Sequence, residues 1–164
     1  MTPEAKARLR IDQLLCSAGW QVHNLQAVHI HASQGVAIRE FPLNPGHGVA
    51  DYLLYVDGKA CGVIEAKKVG STLKGVEIQS ERYSPGLPTS LPAWRRPLPF
   101  LFESTGTETQ FTNCLDPQPR SRAVFAFFRP ELLVHWLSTA GPASANHLAP
   151  GTLPANKKAR SEER

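Results

Sequence analysis

Three charged residues within residues 48–68 have the types and spacing needed to hold a metal ion and act on a phosphate. Asp51 begins one apolar run, and Glu65 and Lys67 end the next. Two carboxylates can bind a hard divalent cation such as Mg2+, which acidifies a bound water and neutralises charge on a phosphate. A neighbouring lysine can orient that water or stabilise developing negative charge. The pattern therefore predicts hydrolysis of phosphodiesters.

A β-hairpin has to bring these residues together, because the two apolar runs flank a tight turn at 57–58. Side chains alternate between the two faces of a strand, so the register decides which residues share a face. A strict two-residue turn pairs Val56 with Lys59. It would place Asp51 opposite Ile64, on the wrong face.

A three-residue loop, 56–58, gives a different register. If its last residue is left-handed in a G1 bulge, Tyr55 pairs with Lys59. Asp51 then shares a face with Glu65 and with the lysine two residues further on. We predict this second register.

Two further residues, Gln79 and Tyr83, are four apart and therefore lie on one face of a predicted helix. Their side chains can hydrogen-bond a phosphate or a catalytic group, or they can be an ordinary helix-packing pair. The charged residues are also ambiguous, because Glu-x-Lys is common on solvated strand faces. The residues by themselves are also compatible with a structural salt-bridge cluster that has no catalytic role.

Several segments, in order from about Thr2 to Leu137, resemble the N-terminal nuclease domain of the type I restriction enzyme R subunit, in the PD-(D/E)xK nuclease superfamily. They are REF at 39–41, GVADYLL at 48–54, VIEAKK at 63–68, the Gln79-xxx-Tyr83 pair, LPFLFESTG at 98–106 and DPQPRSRAVFAFFRPELL at 116–133. The family usually shows a Thr-Asn-Gly turn where this chain has Ser104-Thr105-Gly106.

The resemblance implies an α/β fold with an αβββαβ core, in which a mixed sheet is flanked by helices. It implies a type I site-specific deoxyribonuclease that hydrolyses double-stranded DNA with Mg2+, which Mn2+ could replace. Asp51 and Glu65 would bind the metal and Lys67 would position the attacking water. Gln79 and Tyr83 would support the substrate.

Two other acids could support this site. Glu40 resembles the family's acid in its REF segment, although it could simply pair with Arg39 or Lys68. Glu4 suits the positive end of a first helix, and that electrostatic role suffices for an isolated glutamate. The resemblance adds that related nucleases often bring such a glutamate to the metal centre.

The relatives continue into an ATP-driven DNA translocase, whereas this sequence contains no GxxxxGK[ST] phosphate loop. We therefore expect ATP to act only through a motor domain absent here, and the chain to be part of a longer protein or a truncated reading frame. Methylation and specificity subunits would be partners of the full complex. Alternative functions are a non-catalytic DNA- or subunit-docking domain and a structure-selective resolvase.

Composition favours one globular domain followed by a tail. We predict a nuclease-like domain over 1–137 and a basic, Pro/Ala/Gly-rich disordered tail over 138–164. The net charge of +4 and pI of about 9.2 suit a polyanionic partner. Apolar runs are too short for a membrane span, and three widely spaced cysteines indicate a reducing cytoplasm. We expect Cys16 and Cys61 to be buried.

The proline-rich segment 84–99 is predicted to be a loop. Trp94 beside Arg95 and Arg96 could stack on a base and contact phosphate, or Trp94 could anchor the loop. Arg95, Arg96 and Lys68 are the candidate DNA contacts. The predicted helices are 2–18, about 71–83 and 131–137; the strands are the hairpin and 36–41, 99–103, 109–113 and 122–128, and residues 20–25 lead into an irregular segment.

Overall fold

The structure is a computed structural model that describes residues 1–27, 29–73 and 82–141. Seven strands form one sheet in the order of the sequence. They are β1 (Gln21–Asn24), β2 (Gly35–Pro42), β3 (Val49–Val56), β4 (Lys59–Ala66), β5 (Phe100–Ser104), β6 (Thr109–Asn113) and β7 (Arg122–Val124). Helix α1 is Pro3–Ser17, helix α2 is Pro130–Thr139, and residues 82–86 are helical.

The sheet is mixed. The pairs β1–β2 and β4–β5 are parallel, and the other neighbouring pairs are antiparallel. A parallel pair needs a long crossover connection, which the residues between β4 and β5 provide. The predicted α/β fold with a mixed sheet and flanking helices is confirmed. Within the described ranges, no helix is both long and apolar enough to cross a membrane.

Helix α1 begins and ends where the sequence predicts. Thr2 caps it, since the Ala5 amide donates to Thr2 Oγ1 at 3.1 Å, and Gly19 follows it with a φ of +93°. The prolyl residue in the first turn needs no amide partner there. The predicted buried stripe is confirmed at Ala7, Ile11, Leu15 and Ala18, and Leu14 is half-buried.

Both faces of the sheet are covered. Helices α1 and α2 pack on one face through residues such as Ile11, Leu133 and Phe102. The segment 83–98 packs on the other face, where Tyr83 and Leu87 contact the core. Burial on both faces explains why the central strands are nearly continuous apolar runs.

The last predicted strand, 122–128, is too long. Strand β7 ends at Val124, and Phe127 and Phe128 turn into the core beneath α2. The ring of Phe128 lies 4.8 Å from Phe111 and 5.3 Å from Trp136, between centroids. Aromatic packing therefore removes these residues from the sheet, although their alternation is typical of a strand.

The prediction misses one strand and misplaces one cysteine. Residues 20–25, expected only to lead into an irregular segment, contain β1, whose side chains are exposed or half-buried. Backbone pairing with β2 defines this edge strand, so no hydrophobic alternation marks it. Cys16 is exposed, because it follows the buried stripe of α1 by one residue, whereas Cys61 is buried as predicted.

The hairpin between β3 and β4 has a turn that differs from the predicted one. Asp57 and Gly58 have φ values of +49° and +78°, and Val56 pairs with Lys59. Two consecutive left-handed residues are the mark of a two-residue type I′ turn. The predicted three-residue loop and its pairing of Tyr55 with Lys59 are therefore wrong.

A bulge further along β4 restores the expected faces. Leu54 pairs with Gly62 and Tyr55 with Ala60, which leaves Cys61 as an extra residue. Beyond the bulge Tyr52 pairs with Ile64. Continuing this register by one residue places Asp51 opposite Glu65, so the shared face is confirmed although the predicted register is wrong.

Candidate active site

Acidic residues continue an apolar row across the three central strands. Leu53, Val63 and Leu101 are paired neighbours on one sheet face. Two positions further along each strand, on the same side of this row, lie Asp51 on β3, Glu65 on β4 and Glu103 on β5. Because side chains alternate, these acids lie on the same face as the apolar row. The hairpin thus places two of the predicted site residues, Asp51 and Glu65, side by side.

Asp51 is held by two donors. Arg8 of α1 donates from Nη2 to Asp51 Oδ1 at 2.5 Å, and the Ala66 amide donates to Asp51 Oδ2 at 2.8 Å. Its side chain is 18% exposed. The second bond joins β3 to the end of β4, next to Glu65 and Lys67, so it fixes Asp51 beside them.

Glu65 contacts two cationic side chains through one oxygen. Lys67 Nζ is 3.1 Å and Arg82 Nη1 is 3.2 Å from Glu65 Oε1. The carboxylate is 12% exposed. The structure therefore brings Asp51, Glu65 and Lys67 together, and it adds arginines to both carboxylates.

Arg82 makes further contacts beside this site. It also donates to the Val49 carbonyl at 2.6 Å, and its guanidinium lies 5.2 Å from the ring centroid of Tyr83. Together with its contact to Glu65, this bond makes Arg82 a link between β3 and β4.

Tyr83 is buried, and its hydroxyl has no hydrogen-bond partner among the described residues. Burial raises the pKa of Tyr83 most, and the negative charges of Glu65, Asp51 and Glu103 raise it further, against the opposing charge of Arg82. The hydroxyl therefore lies within electrostatic range of all three acids. An unpaired buried hydroxyl is costly and favours a ligand or water at this point.

A second polar cluster fixes α1 to the sheet. The Tyr52 hydroxyl donates to Asp12 Oδ1 at 2.6 Å and lies 3.1 Å from the Arg8 carbonyl oxygen. Arg39 Nη2 donates to Asp12 Oδ2 at 2.6 Å. Because α1 carries Arg8, this cluster positions the guanidinium that contacts Asp51.

We expect Tyr52→Phe to lower the free energy of unfolding by about 1–2 kcal/mol, because it leaves a half-buried carboxylate without one of its donors. Urea unfolding measures the change. Tyr55→Phe is the matched control, since that hydroxyl makes no hydrogen bond to the described residues. Equal losses in the two variants would contradict the role given to this cluster.

The other two predicted acids, Glu40 and Glu4, are not part of the pair formed by Asp51 and Glu65. Glu40 is left-handed, with a φ of +51°, and its carboxylate lies 3.3 Å from Arg8 rather than beside Arg39 or Lys68. Glu4 is exposed in the first turn of α1, where it suits the helix dipole. Gln79 lies outside the described residues.

The candidate DNA contacts differ in the hydrogen bonds that their side chains already make within the protein. Lys68 is exposed next to the site. Arg95 donates to the Gly141 carbonyl, and Arg96 donates to the carbonyls of Leu87, Pro88 and Leu91. Trp94 Nε1 donates to the Val56 carbonyl at 2.9 Å. Trp94 thus fastens the loop to β3, whereas Arg96 links parts of the loop to one another.

Sequence reasoning missed Arg8, Arg82 and Glu103. The arginines act across the fold, so local spacing gives no signal for them. Glu103 does have one: it ends an apolar strand as Glu65 does. The same reasoning applied to β5 would have found it.

The donor chemistry of the site fits a hard dication such as Mg2+. Carboxylate oxygens are the ligands it prefers, and it keeps several waters. The buried Tyr83 hydroxyl without a described partner is a further polar group for such a hydrated ion. Among the described residues, no group of three or more His, Cys, Asp or Glu side chains is arranged to hold a metal directly. Asp51 and Glu65 are therefore the residues that would hold it.

A solved fragment described as an HsdR subunit of a type I restriction enzyme from Vibrio vulnificus YJ016 has a similar fold. The TM-score is 0.58 at 18% sequence identity, and the match covers 85% of this chain. It covers 26% of that chain, so this protein spans about a quarter of the relative's length. A comparison with curated proteins finds no match.

A family described as the type I restriction enzyme EcoKI endonuclease subunit second domain matches residues 22–137. The matched region contains the sheet from the second residue of β1 to the end of β7, and most of α2. It also contains Asp51, Glu65 and Lys67. The resemblance inferred from the sequence is confirmed: the chain belongs to the family of this domain of the type I restriction enzyme R subunit.

Proposed function

We propose that this domain is a Mg2+-dependent endonuclease that hydrolyses phosphodiester bonds of double-stranded DNA within a type I restriction R subunit. The observation that carries the proposal is the convergence of Asp51, Glu65 and Lys67 on one sheet face, with both carboxylates mostly buried. Family membership supports the same chemistry. Mn2+ could replace Mg2+.

Asp51 and Glu65 would hold the dication, which would supply an acidified water and neutralise charge on the phosphate. Lys67 orients the attacking water and stabilises the charge that develops on the phosphate oxygens. The water oxygen forms the new bond to phosphorus and loses a proton to solvent, while the bond from phosphorus to one ester oxygen breaks and that leaving oxygen takes up a proton from solvent. Tyr83 and Gln79 support the substrate.

The exposed Lys68 and the loop arginines Arg95 and Arg96 are the proposed contacts to the DNA backbone. The remaining activities belong to the larger assembly, of which this chain is one domain. Methylation and specificity subunits would select the target, and an ATP-driven motor domain would deliver the DNA. Glu40, through Arg8, and Glu4 are proposed supporting residues.

Metal binding should stabilise the folded domain. We expect Mg2+ or Mn2+ to raise the melting temperature by several degrees, because a ligand at a hundredfold excess over its Kd contributes about 2.7 kcal/mol. Asp51→Asn and Glu65→Gln should abolish the shift. Glu131→Gln, an exposed acid on α2, is the matched control and should keep it. A shift that survives in both site variants would contradict the assignment of the metal site.

A non-catalytic docking domain is the second candidate, and one observation favours it. Arg8, Lys67 and Arg82 already compensate both carboxylates, as in a structural salt-bridge cluster. Such a cluster predicts no response to Mg2+ or Mn2+ in the same melting experiment. Its site variants would instead be destabilised equally with and without the ion, because breaking a buried pair leaves a charge unpaired.

A further inference from the structure

Glu103 is a buried acid in direct register with Glu65. Glu103 is only 5% exposed, and the two glutamates are Cα partners on the parallel strands β4 and β5. Neighbouring strands are about 4.8 Å apart, and paired residues point to the same face. The two carboxylates therefore emerge side by side from one face of the sheet.

The Tyr83 hydroxyl provides an independent observation at the same place. It is buried, it has no described hydrogen-bond partner, and Glu65, Asp51 and Glu103 all act on it electrostatically. A buried polar atom of this kind indicates a missing polar group. Because the missing group would face acids from three strands, it would have to donate hydrogen bonds or carry positive charge.

Charge repulsion points to the same conclusion. Two ionised carboxylates on paired residues destabilise each other in a mostly buried site. Arg82 and Lys67 contact Glu65 through the same oxygen. A dication between the strands would lower this repulsion, in addition to the contacts that both glutamates already make.

We propose that Glu103 is a further residue of the metal site, which holds the dication through one of the ion's bound waters. Mg2+ usually keeps several waters, so an acid can contribute without direct contact. This fits the finding that the described acids form no direct three-ligand group. The inference rests on the proposed function, and it extends the site from the hairpin to β5.

The test is the affinity for Mn2+ alone, measured by isothermal titration calorimetry. Glu103→Gln should weaken binding about tenfold or more, because partners that act through a ligand typically cost 10–100-fold in metal affinity. Glu103→Asp keeps the charge but is shorter, and it should bind more tightly than the Gln variant. Glu131→Gln should bind as the unchanged protein does.

The order of the two variants separates a ligand role from a packing role. Gln matches the shape of Glu, so a packing role predicts that Glu103→Gln is tolerated and Glu103→Asp is not. Unchanged Mn2+ affinity in Glu103→Gln, with binding lost in Glu65→Gln, would overturn the inference and leave the proposed function standing. An unchanged protein that binds no Mn2+ would overturn both. Melting without metal identifies a variant that fails to fold.

Discussion

Lys67→Ala should reduce metal-dependent nicking of supercoiled DNA by about 10²–10³-fold, the effect of removing one positioned charge-stabilising group. Lys67 Nζ lies 3.1 Å from Glu65 Oε1, and its side chain is 31% exposed. The ammonium thus combines contact with a proposed metal ligand and access to substrate. Nicking of a plasmid in Mg2+ or Mn2+, followed over time, measures the loss.

Metal affinity distinguishes this effect from a damaged site. Lys67 competes for Glu65, so its removal should leave Mn2+ binding intact or strengthen it while cleavage is lost. Lys59→Ala is the matched control, because Lys59 lies at the opposite end of β4, over the Trp94 ring. Nicking that persists undiminished in Lys67→Ala would refute the role given to this lysine.

The sequence predicts which sheet face the candidate site residues share better than it predicts the strand register that places them there. An apolar run that ends in an acid predicts a buried strand with the charged residue at its end, and this prediction is correct for β4. The register is a different matter. Asp57-Gly58 is compatible with both the two-residue turn and the longer loop, and the extra residue, Cys61, is apolar like its neighbours.

Partners from distant parts of the chain could not be predicted. Arg8 is 43 residues from Asp51, and Arg82 is 17 residues from Glu65. Their pairing depends on how α1 and the helical turn 82–86 pack on the sheet, and periodicity does not encode that packing. Strand β1 escaped prediction for a related reason, since its partner strand rather than its own side chains defines it.

Gly62→Ala tests whether the bulged register depends on close contact between strands. A Cβ at this position would lie 2.4 Å from the carbonyl oxygen of Phe100. This atom belongs to the backbone of β5, so no side-chain rotation relieves the clash. We expect a loss of about 3 kcal/mol in the free energy of unfolding, at the upper end of the usual cost of overpacking. Urea unfolding measures it.

Gly46→Ala is the control, because its Cβ meets nothing within 4 Å and only the φ of +88° opposes it. That strain should cost about 1 kcal/mol. Gly62 pairs with Phe100 in the same ladder that pairs Glu65 with Glu103. Displacing β5 should therefore also weaken Mn2+ binding in Gly62→Ala, whereas Gly46→Ala should bind normally. Equal stability losses in the two variants would mean that β4 and β5 can separate without cost, and the register would then not depend on Gly62.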